Sequence, residues 1–346
     1  MAVGVARVTT PDLTFDHLVS LTTPLGLFEH ALGSAPRRDH GYCLDDVARG
    51  LVVTARQPEP GGQVIALSRV YLEFTLGAQD DRGRFRNRRR ANGTWMGDAN
   101  VDDHWGRALW GLGTAAHSSP DEHVREAALG AATLGFQTRS TWTRATAYAA
   151  LGAYEILRAH PDHRAALDLL TDARTLLGRP VAHPTWPWPE PRLTYANAVL
   201  PEALLVIGSA LGDDRALADG LALLSWLVDQ ETRGDHLSVT PAGGWRLGEA
   251  RPGFDQQPIE VSALAEACWR AYAITGDRVW LTSIERCVAW FTGANDLGLA
   301  LYDPTSGGGS DGLHADRINE NRGAESTLAG LATFQLGHRA AGENVR

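Results

Sequence analysis

The sequence predicts an all-α protein, an (α/α)6 toroid of six helical hairpins with long loops at one end. Apolar residues recur every three or four positions along most of the chain, which gives about twelve helical segments. Plain amphipathic segments alternate with Ala/Leu-rich segments that begin in clusters of polar residues. Strand patterns are too sparse for a parallel sheet.

The alternation predicts a closed ring with the Ala/Leu-rich helices inside. Equivalent segments recur roughly every 40 to 65 residues, within the range of helical repeat units. Ring closure would bring all six polar clusters to one cleft, at the N-terminal ends of the inner helices. An open solenoid is the structural alternative, but it would not need its polar groups at the same end of every inner helix. We therefore predict one domain over residues 1–346.

The first two hairpins show the pattern most clearly. An outer helix is predicted over 15–32, where leucines such as Leu18 and Leu25 share one face. The polar segment 39–49 opens the first inner helix, and 64–76 forms its amphipathic outer partner.

Paired aspartates mark the beginnings of two inner helices. Asp45 and Asp46 suit a first turn because short carboxylates accept from free backbone N–H groups and favour the positive end of the helix dipole. The same Asp-Asp pair followed by arginine recurs at 102–103 with Arg107. Recurrence favours a shared functional role over simple capping.

Between these beginnings, the segment 80–94 breaks the helical pattern. Arg82, Arg84 and Arg86 alternate with other residues, which predicts a short strand or hairpin. The segment is either a solvated loop or a rim that contacts an anionic or hydroxyl-rich substrate.

The remaining hairpins follow in order. The loop at 180–192 is too rich in proline for a helix, and its Trp186 and Trp188 either plug the fold or form a ligand platform. Further helices are predicted near 120–136, 141–157, 162–178, 213–228, 259–274 and 277–291. Two more inner helices are predicted to follow the polar openings at 193–202 and 319–326, the second of them running through Phe334.

Composition narrows the class of protein. A net charge of −9 and a pI near 5.7 argue against a nucleic-acid partner, which requires a basic face. Three cysteines without CxxC spacing fit a reducing compartment. Residues 1–12 lack the features of a signal peptide, and no apolar run is long enough to span a membrane, so a cytoplasmic protein without membrane contact is expected.

Several blocks of the sequence resemble one family. They are DHGYCLDDVAR at 39–49, GRALWGLG at 106–113, LTYAN at 193–197 with LPEAL at 200–204, QQPIE at 256–260 and NRGAEST at 321–327. They resemble six-hairpin glycosidase-like proteins, and more narrowly a poorly characterised bacterial group found beside, or fused to, glycosyltransferases and mannoside phosphorylases.

The resemblance implies the toroid fold and a role in carbohydrate metabolism, with an oligosaccharide substrate and a glycosyltransferase or phosphorylase of the same pathway as a partner. It does not specify a reaction. Two positions depart from the pattern: Val47 stands where asparagine is expected, and Asp102 stands where glutamate is expected before Asp103. Both departures lie in the polar helix openings, so the chemistry of the site is expected to differ slightly from that of the family.

Ring geometry suggests which carboxylates could cooperate. Neighbouring helix axes lie about 8–10 Å apart, so inward-pointing carboxylates on opposite helices would be roughly 6–10 Å apart. An inverting glycosidase needs about 6.5–9.5 Å. Asp103 and Glu260, on the second and fifth inner helices, are therefore the first expected acid–base pair. Asp46 with Glu190 or Glu202 competes, and Glu325 could replace either member.

Other polar and aromatic residues suit sugar recognition. The substrate-binding candidates, by stacking or hydrogen bonding, are Tyr42, Asp45, Arg49, His104, Trp105, Arg107, Trp186, Trp188, Tyr195, Asn197, Gln256, Gln257, Asn319, Asn321 and Arg322. No metal and no cofactor are expected, because histidines are scattered and no Gly-rich phosphate loop follows a strand.

Three functions remain open at this stage. An inverting glycoside hydrolase is the first. A sugar epimerase or isomerase would need a histidine base, for which His104 is the candidate in a polar helix opening. A non-catalytic glycan-binding partner would retain the aromatic residues and use its carboxylates only as caps.

Overall fold

The structure, a computed structural model, describes residues 9–344; the outermost parts of the predicted domain and of the segment 1–12 lie outside the described residues. The described chain forms twelve helices: α1 (Asp16–Leu21), α2 (Leu44–Ala55), α3 (Gly62–Ala78), α4 (Asp103–Ser118), α5 (Glu122–Gly135), α6 (Thr143–Ala159), α7 (Arg164–Leu176), α8 (Val199–Leu211), α9 (Asp214–Gln230), α10 (Pro258–Thr275), α11 (Val279–Phe291) and α12 (Ala324–Glu343).

The even-numbered helices form a closed inner ring. Helices α2, α4, α6, α8, α10 and α12 contact one another in that order, and α12 contacts α2 to complete the circle. The odd-numbered helices lie outside them, with α1 as a short outer partner of α12. The predicted all-α, (α/α)6 toroid is confirmed.

Loop length differs sharply between the two ends of the ring. Connections from an inner to an outer helix span 2 to 6 residues, from 212–213 to 56–61. Connections from an outer to the next inner helix span 7 to 32 residues, from 136–142 to 292–323. The long loops predicted at one end therefore lie at the N-terminal ends of the inner helices.

Short strands stiffen these long loops. The strands, each of two residues, are β1 (Thr22–Thr23), β2 (Gly26–Leu27), β3 (Ala31–Leu32), β4 (Ala35–Pro36), β5 (Tyr42–Cys43), β6 (Arg88–Arg89), β7 (Trp95–Met96), β8 (Thr232–Arg233), β9 (His236–Leu237), β10 (Gly312–Leu313) and β11 (Ile318–Asn319). Antiparallel pairing places β6 between β5 and β7, with Tyr42 opposite Arg89 and Arg88 opposite Met96. The hairpin expected near 80–94 is thus present as β6 and β7.

The first helix is much shorter than predicted. Helix α1 ends at Leu21, and two hairpins occupy 22–36 in place of the expected helix to residue 32. Pro24 disfavours helical geometry in the residue before it, and Gly26 adopts a φ of +139° that helices do not contain. The leucine spacing is real, but these residues pack as hairpins against the core.

Helices α4 and α6 approach each other unusually closely. Gly106 and Gly113 lie about two turns apart on α4, and Ala145 and Gly152 have the same spacing on α6. A Cβ on Gly106 would lie 2.1 Å from the Ala145 carbonyl oxygen, and one on Gly152 would lie 2.1 Å from that of Leu109. The glycine positions at this crossing, Gly106, Gly113 and Gly152, therefore have no room for a side chain.

Buried ion pairs connect the inner helices below the cleft end. Arg56, at the end of α2, donates to Glu266 of α10 at 2.5 Å, and Arg270 of α10 donates to Glu155 of α6 at 2.6 Å. Glu202 of α8 lies 3.8 Å from the Arg270 Nε. Because unpaired buried charge is costly, these pairs favour one arrangement of the hairpins around the ring.

The two ends of the described chain meet where the ring closes. Gln335 of α12 donates to the Val53 carbonyl of α2 at 2.9 Å. Beside this contact, the His338 ring bonds the Pro11 carbonyl oxygen at 2.9 Å. The first and last inner helices are therefore in direct contact where the ring closes.

Among the described residues, no helix has both the length and the apolar character that crossing a bilayer requires.

Glycine at 152 is expected to be essential for stability. Gly152→Ala should lower the free energy of unfolding by about 1–3 kcal/mol or more, because the new methyl group would collide with α4 backbone. Gly130→Ala is the matched control: this glycine lies on exposed α5 with no atom within 4 Å of an added Cβ, and its replacement should raise stability by up to about 1 kcal/mol. Urea unfolding followed by circular dichroism measures both, and equal effects would contradict the close approach.

Candidate functional site

A cleft of about 390 Å³ opens at the N-terminal ends of the inner helices, above the meeting point of α2 and α12. Its wall carries Asp45, Asp46 and Arg49 from α2, Arg107 from α4 and Glu325 from α12. Of the sequence-predicted residues, these five, Gln257 and Asn319 are brought together in this cleft.

Arg49 joins two carboxylates across the junction of α2 and α12. Its Nη1 donates to Asp46 Oδ1 at 2.8 Å, and its Nη2 lies 2.8 Å from Glu325 Oε2. Asp46 and Arg49 are buried, whereas the Glu325 side chain is 41% exposed. One cation therefore serves two acids, of which one is buried and one faces solvent.

Neighbouring Asp45 and Asp46 are in opposite electrostatic environments. Burial, together with the charges of Glu325 and Glu29, outweighs Arg49 and raises the pKa of Asp46 to about 8. Burial acts in the same direction on Asp45, but the charge of Arg107, 2.7 Å away, holds its pKa well below its usual range. Of the two neighbours, Asp46 is therefore the one whose environment favours the protonated form, and Asp45 the one whose environment favours the carboxylate.

Seven residues of the cleft lining were not among the predicted site residues, although Arg88 lies in the segment 80–94 that was considered as a substrate-contacting rim. Glu29, His30 and Arg88 come from the hairpins that line the cleft. Arg88 donates to Glu29, and the His30 Nε2 lies 3.6 Å from the same carboxylate. Glu29 and His30 were assigned to the overlong first helix; Pro24 was the signal that could have placed them in a loop.

One group of side chains has the composition of a metal site. Glu29, Cys43 and Asp46 each place one ligand atom within 4.8 Å of the others. However, Arg88 and Arg49 already bind the two carboxylates. Burial and neighbouring acids also raise the pKa of the Cys43 thiol, which opposes the thiolate form that metals need. These residues fit a charge network better than an ion.

Below the cleft lies a small cavity on the ring axis. Its volume is about 30 Å³, and Arg49 separates it from the cleft. Apolar side chains such as Val52, Trp110 and Leu328 line it, together with Glu202. A cavity of this size holds about two water molecules.

The first expected catalytic pair lies outside the cleft lining. Glu260 is buried and accepts hydrogen bonds from the backbone N–H groups of Ala196 and Asn197 and from the Asn197 side chain. Asp103 accepts from the Tyr195 hydroxyl. Both carboxylates thus hold one loop, 193–197, that precedes α8, and burial raises the pKa of Glu260 to about 8.

The competing carboxylate Glu190 is held in a similar way. Arg144 Nη1 bonds both of its oxygens, at 2.8 and 2.9 Å. The same guanidinium donates to the Tyr195 carbonyl through Nε at 2.7 Å. Glu190 therefore belongs to the support of the 193–197 loop.

Several aromatic candidates are core residues, which corrects their expected stacking role. Trp105 and Trp188 are 1% exposed, and Tyr42 is 2% exposed and stacked on Phe28. Trp186 is also buried and forms an aromatic cluster with Trp188 through neighbouring tryptophans. Of the two interpretations of the Pro/Trp-rich loop, the structure supports the plug.

Buried polar candidates likewise satisfy the fold itself. The His104 ring is buried, bonds the Phe85 carbonyl oxygen at 2.9 Å and does not line the cleft. Gln256 is fully buried and donates to Asp296, and Asn197 is fully buried beside Glu260. Their amides are occupied by protein partners, as buried polar groups require.

Two further candidates connect loops around the cleft. The Asn321 side chain accepts from the Gly33 N–H at 3.0 Å, and Arg322 donates to Asp303 at 2.7 Å. The first contact fixes the β3–β4 hairpin to the loop before α12, and the second braces that loop internally. Both residues are partly exposed, and their contact with substrate remains a prediction.

Solved structures of sugar-acting proteins share this architecture. A sugar epimerase from a ruminal bacterium has a TM-score of 0.69 at 13% identity, covering 96% of this chain and 97% of its own. A D-mannose isomerase has a TM-score of 0.65 at 12% identity over 94% and 95% of the two chains. The GH76 α-mannanase of Bacteroides thetaiotaomicron has a TM-score of 0.57 at 13% identity over 87% and 86%.

No protein-family model matches the chain, and no curated protein matches it in sequence. Identities of 12 and 13% establish the fold alone. Membership of the bacterial group associated with glycosyltransferases and mannoside phosphorylases therefore remains a prediction, while the six-hairpin toroid is common to this chain and these neighbours.

Proposed function

We propose that this chain is a carbohydrate-active enzyme that hydrolyses an oligosaccharide in the cleft. The observation that carries the proposal is the pair of carboxyl groups on the Arg49 guanidinium, buried Asp46 with a raised pKa and exposed Glu325. Glycoside hydrolysis needs two carboxyl groups in opposite protonation states, one on each side of the bond that breaks. Environments that separate pKa values in this way mark acid and base roles.

Asp46 is the proposed general acid. Its proton passes to the glycosidic oxygen as the bond from that oxygen to the anomeric carbon breaks. Burial keeps this proton in place at neutral pH. The positive charge of Arg49 beside it compensates the carboxylate that remains after transfer.

Glu325 is the proposed general base. One of its oxygens faces Arg49, and the other accepts no hydrogen bond from the described residues, so it can take a proton from water. The water oxygen then bonds to the anomeric carbon. Asp45 stays a carboxylate held by Arg107 and Asn87, which suits it to hydroxyl recognition.

The comparisons support a sugar substrate, because the structural neighbours are named as acting on sugars. An inverting outcome, a mannoside substrate, a glycosyltransferase or phosphorylase partner and a cytoplasmic location are part of the proposal on the strength of the sequence resemblance. The anomer formed first, observed by proton NMR, tests the stereochemical outcome.

Epimerisation or isomerisation of a sugar is the second candidate. It is favoured by His30, which lines the cleft beside Glu29, and by the His40 ring 5.0 Å from it. A histidine paired with a carboxylate can remove a proton from carbon next to a carbonyl group. This reaction would be favoured if the wild type formed new epimers rather than shorter sugars and His30→Asn lost that activity.

Loss of either cleft carboxyl group should abolish hydrolysis. Asp46→Asn and Glu325→Gln are each expected to lower kcat by about 10²–10⁴-fold, because each removes one proton-transfer group. Binding of the oligosaccharide should persist in both. Reducing-sugar release from manno- and gluco-oligosaccharides measures turnover, and calorimetry measures binding.

The controls separate this pair from the earlier candidates. Glu122→Gln changes a first-turn acid of outer helix α5 and should leave kcat unchanged. Asp103→Asn and Glu260→Gln should act mainly through the 193–197 loop, raising KM more than they lower kcat. Turnover that survives Asp46→Asn would show that the acid is elsewhere, and glycan binding without wild-type turnover would favour the non-catalytic binding role.

The pH profile should carry an alkaline limb from Asp46. Activity requires the protonated acid, so kcat/KM should fall as pH rises through about 8, where this carboxyl ionises. Glu202 has a pKa raised to about 8 by burial as well, but lies below Arg49. The alkaline limb should therefore persist in Glu202→Gln. If it disappeared in that variant, Glu202 and not Asp46 would be the group that titrates.

A further inference from the structure

Two aromatic side chains stand apart from the rest of the molecule. The chain contains 11 Trp, 7 Tyr and 8 Phe, and nearly all of them are buried or partly buried. Among the described residues only Trp142, 60% exposed, and Tyr195, 41% exposed, are largely open to solvent. Both lie at the cleft end of the ring, since Trp142 immediately precedes α6 and Tyr195 lies in the loop before α8.

Arg144, near the start of α6, contacts Tyr195. It lies two residues after Trp142, and its Nε donates to the Tyr195 carbonyl oxygen at 2.7 Å. Its guanidinium carbon also lies 4.9 Å from the centre of the Tyr195 ring. One face of that ring is therefore backed by a cation.

The Tyr195 ring is also fixed at its far end and through its backbone. Its hydroxyl donates to Asp103 of α4, and the next two residues are anchored to Glu260 of α10. Ala196 adopts a φ of +44°, a left-handed conformation that residues with a Cβ rarely hold without such anchors. Contacts from three inner helices thus hold one aromatic ring in place although that ring is exposed. A buried ring would be held by the packing around it and would not need these contacts.

A continuous polar path leads from this ring to the cleft. Asp103, which binds the Tyr195 hydroxyl, lies 3.7 Å from Arg107 Nη2. Arg107 in turn donates to Asp45 on the cleft wall at 2.7 Å. The ring is therefore beside the cleft and outside its lining.

From this placement we infer that Trp142 and Tyr195 form a second sugar-binding subsite, which stacks on a pyranose unit of a chain whose cleaved end lies in the cleft. Fixed aromatic rings bind with little loss of conformational freedom, and the apolar face of a pyranose matches them in size and polarity. The inference rests on the proposed function and specifies its substrate as an oligosaccharide longer than a disaccharide.

The test is the dependence of binding on chain length. Calorimetry with a disaccharide and a tetrasaccharide of the preferred linkage should show tighter binding of the tetrasaccharide to the wild type. Tyr195→Ala and Trp142→Ala should each weaken tetrasaccharide binding about tenfold, the loss typical of a central aromatic contact, and change disaccharide binding less than about twofold. Tyr195→Phe keeps the ring and should lose no more than about threefold.

The control is Val279→Ala, which removes an equally exposed apolar side chain from the start of outer helix α11. It should alter neither affinity, and circular dichroism should show that all variants are folded. Equal weakening for both sugar lengths, or tetrasaccharide binding unchanged in either alanine variant, would overturn the subsite while leaving hydrolysis in the cleft intact. Absence of binding to sugars of every length would overturn the proposed function and the subsite together.

Discussion

The organisation of the cleft depends on one guanidinium group at the point where the ring closes. Arg49 comes from the first inner helix and binds Glu325 of the last, while it also holds Asp46 in its own helix. Because the guanidinium is itself buried, its positive charge depends on these two partners for compensation. Closure of the ring and assembly of the candidate acid–base pair are therefore the same event.

Helical geometry explains why adjacent aspartates differ. Successive residues of an α-helix point about 100° apart. Asp45 is thereby directed toward Arg107 of α4, and Asp46 toward the junction with α12, where acids outnumber cations. A pair that reads in sequence as two equivalent helix starters becomes one fixed anion and one proton carrier, without any special backbone geometry.

Periodicity and the polar openings were sufficient to predict the ring, because the start of each inner helix can be recognised from the polar residues before it. They could not predict partners across the ring. Opposite placement favoured Asp103 with Glu260, but the 193–197 loop occupies both carboxylates, and loop paths depend on long-range packing. Glu29 was hidden inside a leucine spacing that resembles a helix. The burial of the tryptophans could not be predicted, since composition alone cannot separate an aromatic ring of the core from one on a binding surface.

The contact between Pro11 and His338 also bears on the order of the hairpins along the chain. Because these two positions, near the ends of the described residues, are in contact, the arrangement in space does not mark any hairpin as the first. If the ends were joined there and the chain opened at a short turn on the far side, such as 119–121, the same helices would surround the same cleft. The order of the hairpins along the chain is therefore not required by the way in which they surround the cleft.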